Sequence, residues 1–501
     1  MTMALMLSLS VQAASNKTPA QAHEQALVVI AQAIEAMGGE ARLRAIKTLK
    51  LDTIGHSYWI DQSERPEGPW ITNYETRSEL RDLDASRLRR TSEVRNALIS
   101  APSTSTLIVA DAAAATMADG KPRPGQPTDV DDATAAIALG PERLLFTARE
   151  AADVAMAAEE VAQGVPQQVV EFTWKQIRVR VLLNAYTHLP TAVDHIQDDP
   201  HGIWGMVTER TWLTFWNLES NGQLYPRQWN VEWNGTPLAE VTVLNFTPNP
   251  TIDADAFTIP ADVREAFAKV PRRNYRTMKL GQGGAGAQTM AEGVIELPGA
   301  WNVTFVQQPD GLVIIEAPIS SDYSGQVLDD AAKRFPNVRV KAVITTSDSW
   351  PHISGLREYV ARHIPVYAMP LNEPIIRRLL KADYRAAPDR LAGAPSAPDF
   401  HFVAEKTTIG SGPNRLVLYP IHGENGERML MIHLPERRLL YTSDELQKQR
   451  SGQYFMPVYL VDVAGAVARA GIGDAIDTVF GMHLTPTPWA EIQATIREKV
   501  H

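Results

Sequence analysis

Residues 416–444 read LVLYPIHGENGERMLMIHLPERRLLYTSD, from which three short apolar runs can be cut: LVLYPIHG, RMLMIHLP and RRLLYTSD. Each run is shorter than an ordinary helix and each stops at turn-forming residues, so the stretch predicts three strands in succession. Upstream the pattern differs. WNVTFVQQPDGLVIIEAP (301–318) predicts two strands joined at Pro309-Asp310-Gly311, QVLDDAAKRF (326–335) a helix, VRVKAVITT (338–346) a buried strand and HISGLREYVARH (352–363) a helix. IPVYA (364–368) adds a short strand, and a further helix runs through Arg378. Strand–helix alternation followed by consecutive strands predicts two packed sheets with helices outside.

The N-terminal half reads otherwise. ALVVIAQAIEAM (26–37) has helical apolar spacing and stops at Gly38-Gly39; a short helix over 40–46 then leads into residues 48–57. From there to about residue 260 the prediction is mainly strands: TLIVAD (106–111), QQVVEFTWKQIRVRVLLN (167–184), GMVTERTWLTFWNLE (205–219), YPRQWNVEW (225–233) and AEVTVLNFTPN (239–249). Asn-Gly pairs at 221–222 and 234–235 supply hairpin turns. The Ala-rich stretch 112–162 is read as surface helix and loop. Residues 272–293 have no periodicity, and their GQGGAG lacks the Lys-Ser/Thr of a phosphate cradle. The fold class is therefore α+β: a helix plus antiparallel sheet over 22–270, a linker at 271–292, and a second domain over 293–501.

Composition bounds the function. Of 501 residues, 44% are hydrophobic and 21% charged, which excludes a disordered chain, a collagen-like repeat and a polytopic membrane protein. A formal charge of −10 opposes nucleic-acid binding through counterion release. With no cysteine, thiolate metal sites, disulfides and a cysteine nucleophile are excluded together, so any metal must sit on His and carboxylates. Residues 3–11 (MALMLSLSV), followed by Ala13-Ala14, read as the back half of a secretory signal without its basic front part; residues 1–21 are taken as that truncated segment and the protein as periplasmic or secreted. No other stretch approaches the roughly 20 apolar residues of a membrane span.

The C-terminal half resembles the metallo-β-lactamase-fold hydrolases over roughly residues 293–495, which implies an αββα metallo-β-lactamase-like sandwich with a metal site in loops at one edge. GLVIIEAP matches the strand ending in the family's first acidic position, here Glu316. TTSDSWPHISGL (345–356) falls where the family has its His-x-His-x-Asp-His motif followed by glycine; His352 and Gly355 match, whereas Ser347, Ser349 and Pro351 stand at the other three positions. YPIHGENGERMLMIHLPERRLLYTSDEL carries His422 as the third-motif histidine and Asp444 as the metal-bridging acid. VFGMHLTP supplies the final histidine, His483.

The resemblance implies a divalent metal, zinc before iron or manganese, and a small-molecule substrate. His352, His422, Asp444 and His483 each lie at or just after the end of an apolar run, where a side chain can enter a cleft from an anchored backbone. Imidazole and carboxylate are the ligands that hold such metals when thiolates are absent. With three motif positions replaced, the expectation is one metal on His352, Asp444 and His483, with His422 as a further ligand or a substrate contact. Asp444 and Asp348 are the candidate catalytic carboxylates, Asp348 either as ligand or general base or as a helix cap. The remaining histidines, such as His188, His195 and His433, are read as structural.

The reading is an exported metal-dependent hydrolase of an ester, lactone, amide or related bond. Its alternative is a non-catalytic periplasmic binding or carrier protein with a decayed metallohydrolase domain. The N-terminal half is somewhat similar to lipoprotein-carrier domains of exported proteins, through GGEARLRAIKTLKL and THLPTAV. Its clustered tryptophans could line a groove or pack in the core.

Overall fold

The computed structural model describes residues 18–61, 68–96, 101–118, 120–199, 204–281, 286–347, 349–423, 428–448, 452–456 and 458–499. The segment read as a signal lies almost wholly outside the described residues, and Asp348 lies outside them too.

The first helix, Pro19–Ala36, begins at a capping box in which Thr18 accepts from Gln21 N–H and Gln21 accepts from Thr18 N–H. It presents Val29, Ile30 and Ala33 to a sheet and ends before Gly38-Gly39, both in the left-handed region. Among the described residues that sheet has fourteen strands, joined as an antiparallel meander. It closes on itself in sequence where Thr48–Tyr58 pairs with Thr236–Pro248. The helix packs with Leu144, Leu145 and Phe146 against Val170, Phe172 and Val181 of the sheet. Each such fully buried side chain contributes about 1.5–3 kcal/mol.

Three sequence expectations change here. The Ala-rich stretch is not a surface feature: Ala113–Ala118 and Lys121–Pro124 are the last two strands at one end of the sheet, and the helices Pro127–Ala138 and Leu144–Glu150 bury Ile137 and Phe146 in its core. The run 167–184 is two strands, Val165–Trp174 and Ile177–Asn184, reversing at Lys175 in the left-handed conformation. Thr72–Asp82 and Arg87–Arg95 are strands with no apolar signature, because Glu79, Arg81 and Arg90 face one another inside the sheet.

Among the described residues the C-terminal region has two large sheets and a small one in which Gln447–Lys448 pairs with Tyr454–Phe455. Seven strands, from Gln288–Ala291 to Phe400–Phe402, make one, and six, from Thr407–Ile409 to Leu484–Pro488, make the other. Their inner faces meet through Val306, Val313 and Ile344 against Leu418, Leu430 and Ile432. The outer face of the first is covered by Ser321–Arg334, Leu356–Ala361 and Glu373–Lys381 through Tyr323, Val327, Tyr359 and Ile376. The outer face of the second is covered by Val458–Ala470 and Trp489–Lys499 through Leu460, Val463 and Ile492. These are the four layers of the αββα sandwich, and the chain is α+β. The three runs of 416–444 are the adjacent strands Leu416–Ile421, Met429–Leu434 and Leu439–Tyr441, as the spacing predicts. HISGLREYVARH is divided into two short helices, Trp350–Ile353 and Leu356–Ala361, with Gly355 between them. Among the described residues no helix is long and apolar enough to cross a membrane.

Candidate active site

Strand direction assembles the site. Gly311–Ile315 runs parallel to Val340–Ile344, and Leu439–Tyr441 runs parallel to Thr478–Gly481. Parallel partners end at the same edge, so the residues that follow all four strands emerge together. They are Glu316, Thr346, Asp444 and His483. The backbone N–H of Leu430 donates to Thr346 O at 2.8 Å and ties the two sheets together at that edge.

His352 enters this edge from the short helix Trp350–Ile353, whose position is set by close backbone contacts. Ala317 N–H donates to His352 O at 3.2 Å and Gly355 N–H to Ala317 O at 2.8 Å. A Cβ on Gly355 would stand 2.1 Å from Ser324 Oγ, so only glycine permits this approach. Glu316 and Ser443 adopt positive φ, at 79° and 55°, in a region that costs non-glycine residues about 1–3 kcal/mol. Both strained residues face the site, where the surrounding contacts hold them.

The ionisable groups form a chain. His352 is fully buried, with Nδ1 2.8 Å from Glu316 Oε2 and Nε2 2.7 Å from Asp444 Oδ2. Asp444 Oδ1 lies 3.2 Å from His483 Nε2. The His352 contacts are short enough for ion pairs but are not aligned as hydrogen bonds. On the other side of Glu316, Tyr441 donates from its hydroxyl to Oε1 at 3.0 Å, and Thr346 Oγ1 also bonds this carboxylate. Burial favours loss of the His352 proton, but the carboxylates of Asp444 and Glu316 outweigh it and push the imidazole up to about 10. Burial raises Asp444, and the neighbouring His352 and His483 outweigh it to hold the carboxyl below its ordinary value. His483 is held below the usual histidine value, because burial outweighs the attraction of Asp444. At neutral pH the arrangement is thus a cationic His352, an anionic Asp444 and a neutral His483.

The open end of the chain faces a cleft of about 220 Å³. Asp444, His483, Ser347 and Gln447 form its polar lining, and Trp301, Trp350, Met429 and Tyr459 are among its apolar walls. The turn that carries His483 is latched from behind. Asn302 donates from Nδ2 to Gly481 O at 3.2 Å and from its backbone to Met482 O at 3.1 Å, with Glu296 Oε1 at 3.3 Å from the same Nδ2. Burial, only partly offset by that bond, raises the Glu296 carboxyl to about 7.

Three of the four histidine and aspartate ligand candidates are therefore brought together, and His422 is not. His422 is exposed beyond the end of Leu416–Ile421, and among the described residues no contact joins it to the other three. Ser347 and Ser349, at lost histidine positions, shape the turn: Ser349 N–H donates to Ser347 Oγ at 3.1 Å. Glu316, noted in the sequence only as a motif position, is the direct partner of His352. Trp59 and Ile71 of the N-terminal sheet also line the cleft, and no local sequence signal marks them.

The donor set matches metal chemistry on one observation and departs from it on another. Two imidazoles and one carboxylate are an established ligand set, and a carboxylate behind a ligand histidine, as Glu316 stands behind His352, is the usual support. The nitrogens of His352 and Oδ1 of Asp444 are buried with no aligned hydrogen-bond partner. Yet among the described residues no group of three or more such side chains has the spacing of a metal site. Two ligands of one tetrahedral zinc stand about 3.3 Å apart, further than the 2.7 Å between His352 and Asp444. The donors suit a cation, while their spacing here is that of a closed ion pair.

No protein-family model matches the chain, and no curated protein matches it. Solved structures similar to it include the stereoselective inverting sec-alkylsulfatase Pisa1 from Pseudomonas sp., at TM-score 0.33 and 15% identity, covering 43% of this chain and 40% of that one. A metallo-β-lactamase from Erythrobacter litoralis is similar at TM-score 0.32 and 15% identity, covering 42% of this chain and 94% of that one. The match thus spans well under half of the alkylsulfatase's length.

Proposed function

We propose that the chain is an exported hydrolase that directs water at an ester, lactone, amide or related bond, using one divalent cation held by His352, Asp444 and His483. The observation that carries this reading is the convergence of three side chains from three separate segments, Asp444 and His483 lining one cleft and buried His352 next to Asp444, with both histidines within 3.2 Å of Asp444. A bound cation supplies Lewis acidity and lowers the pKa of water to about 7. The protein's own groups supply the rest. Asp444 is an anionic acceptor for a water proton. His352, cationic in the closed pair, would give up its Nε2 proton to hold the cation, and Glu316, against Nδ1, would set its ring orientation. His483, neutral and lining the cleft, can accept a proton or a metal. Export rests on the apolar run at residues 3–11 and the alanines after it.

A second reading has an observation of its own. His352 is closed between two carboxylates, as it would be in a site that had exchanged its cation for a proton, and this favours a non-catalytic binding protein with a decayed site. The two readings separate in one experiment. Ester, lactone, thioester, phosphodiester and β-lactam substrates are screened with and without chelator. Chelator-sensitive turnover that is lost in Asp444→Asn is the expected result; no turnover after incubation with zinc, iron or manganese favours the binding protein.

A further inference from the structure

At one end of the strands Thr48–Tyr58 and Thr72–Asp82 the N-terminal sheet reaches the cleft of the C-terminal sandwich. Trp59 N–H donates to Ile71 O at 2.9 Å, and both residues line the cleft. Its approach is fixed by bonds to the sandwich. Asp61 O accepts from Trp350 N–H at 3.1 Å, only two residues before His352. The buried Asp61 carboxylate pairs with Arg378 of the helix Glu373–Lys381, and the Arg378 guanidinium lies 4.1 Å over the ring of Trp204. A second tie holds the two regions together, as Met206 N–H donates to Asp383 O at 2.7 Å. A Cβ on the neighbouring Gly205, itself at φ +63°, would stand 2.0 Å from Asp383 O.

The surface so built is aromatic and continuous with the reactive groups. Trp301 and Trp350 pack edge to face at 5.4 Å between ring centroids, and Trp301 lies 6.4 Å from the ring of His483. Trp59 and Ile71 line the same cleft. An aromatic and aliphatic wall of this kind attracts apolar area and penalises charge laid against it.

We propose that the N-terminal sheet forms part of the substrate site, with Trp59 and Ile71 selecting a substrate that carries an apolar acyl or aryl substituent beside the scissile bond. This rests on the hydrolase reading. It gives the N-terminal region a role in specificity.

The test uses the full chain and 4-nitrophenyl acetate, butyrate and octanoate. The octanoate-to-acetate ratio of kcat/KM is expected to fall about tenfold in Trp59→Ala and less in Ile71→Ala, with recovery in Trp59→Phe. Tyr186→Ala, at a site 74% exposed on the N-terminal sheet, leaves the ratio unchanged. An unchanged ratio in a folded Trp59→Ala protein overturns the proposal. If no ester is cleaved, the hydrolase reading fails, and the wall is tested by binding of the neutral fluorophore N-phenyl-1-naphthylamine. About tenfold weaker binding in Trp59→Ala then supports the wall, and equal binding rejects it.

Discussion

The protein buries charge in two places, and they are built to different ends. In the N-terminal sheet Arg81 donates to Glu79 and to Glu142 at 2.6 Å each, Arg90 donates to the second oxygen of Glu79 at 2.5 Å, and Tyr225 donates to Glu142 at 3.3 Å. Its cations are guanidiniums that never lose their charge, its bonds are aligned, and its core is closed to solvent. In the sandwich the cation between Glu316 and Asp444 is a histidine, its contacts are unaligned, and one end of the chain opens on a cleft. Burial of charge therefore does not by itself mark a functional site. A titratable partner and an open end distinguish the second cluster from the first.

That contrast can be broken by substitution. The largest effect is expected for Asp444→Asn, which removes the anionic acceptor at the open end and lowers kcat/KM by about 10³-fold, or about 4 kcal/mol, in steady-state kinetics. Arg81→Ala leaves buried Glu142 with no cation and Glu79 with Arg90 alone, and costs about 3–5 kcal/mol in urea unfolding. Its turnover per folded molecule stays within about twofold; a collapse of turnover would erase the distinction between the clusters.

Glu296→Gln sharpens it through pH. The Glu296 carboxyl is raised from 4.5 to about 7 in the folded protein, so the folded state holds the proton longer than the unfolded one. Wild-type stability therefore falls as pH rises from about 4.5 to 7, and the penalty is complete above that window. Glu296→Gln is expected to stabilise by about 3 kcal/mol at pH 8 and by nothing at pH 4, measured as the difference in unfolding midpoints. The smallest effect belongs to Tyr441→Phe, which deletes one donor to Glu316 Oε1 and costs about 1.5–3 kcal/mol with a modest loss of turnover.

What the sequence disclosed follows the same division. The sandwich was legible because its strands are continuous apolar runs, as in VRVKAVITT and RMLMIHLP. The strand TNYETRSELRD was not, because its inward residues are Glu79 and Arg81, which pair across the sheet, and hydrophobic periodicity registers such a strand as loop. At the site, His352, Asp444 and His483 were legible as residues ending apolar runs and through a family resemblance. The ion pair between Glu316 and His352 was not, since it depends on where the helix Trp350–Ile353 sits against the end of the strand Gly311–Ile315. Trp59 and Ile71 were invisible for another reason. They lie more than 200 residues from Trp301 and the rest of the cleft in sequence, and contacts between distant segments such as the Asp61–Arg378 pair and the Trp350–Asp61 backbone bond place them there.

The most direct test of the central claim is metal content per chain, by elemental analysis, for the wild-type protein and His483→Ala after incubation with zinc, iron or manganese. About one metal per wild-type chain that is lost in the variant is the predicted result. A metal-free wild-type protein, or full occupancy in His483→Ala, would contradict it.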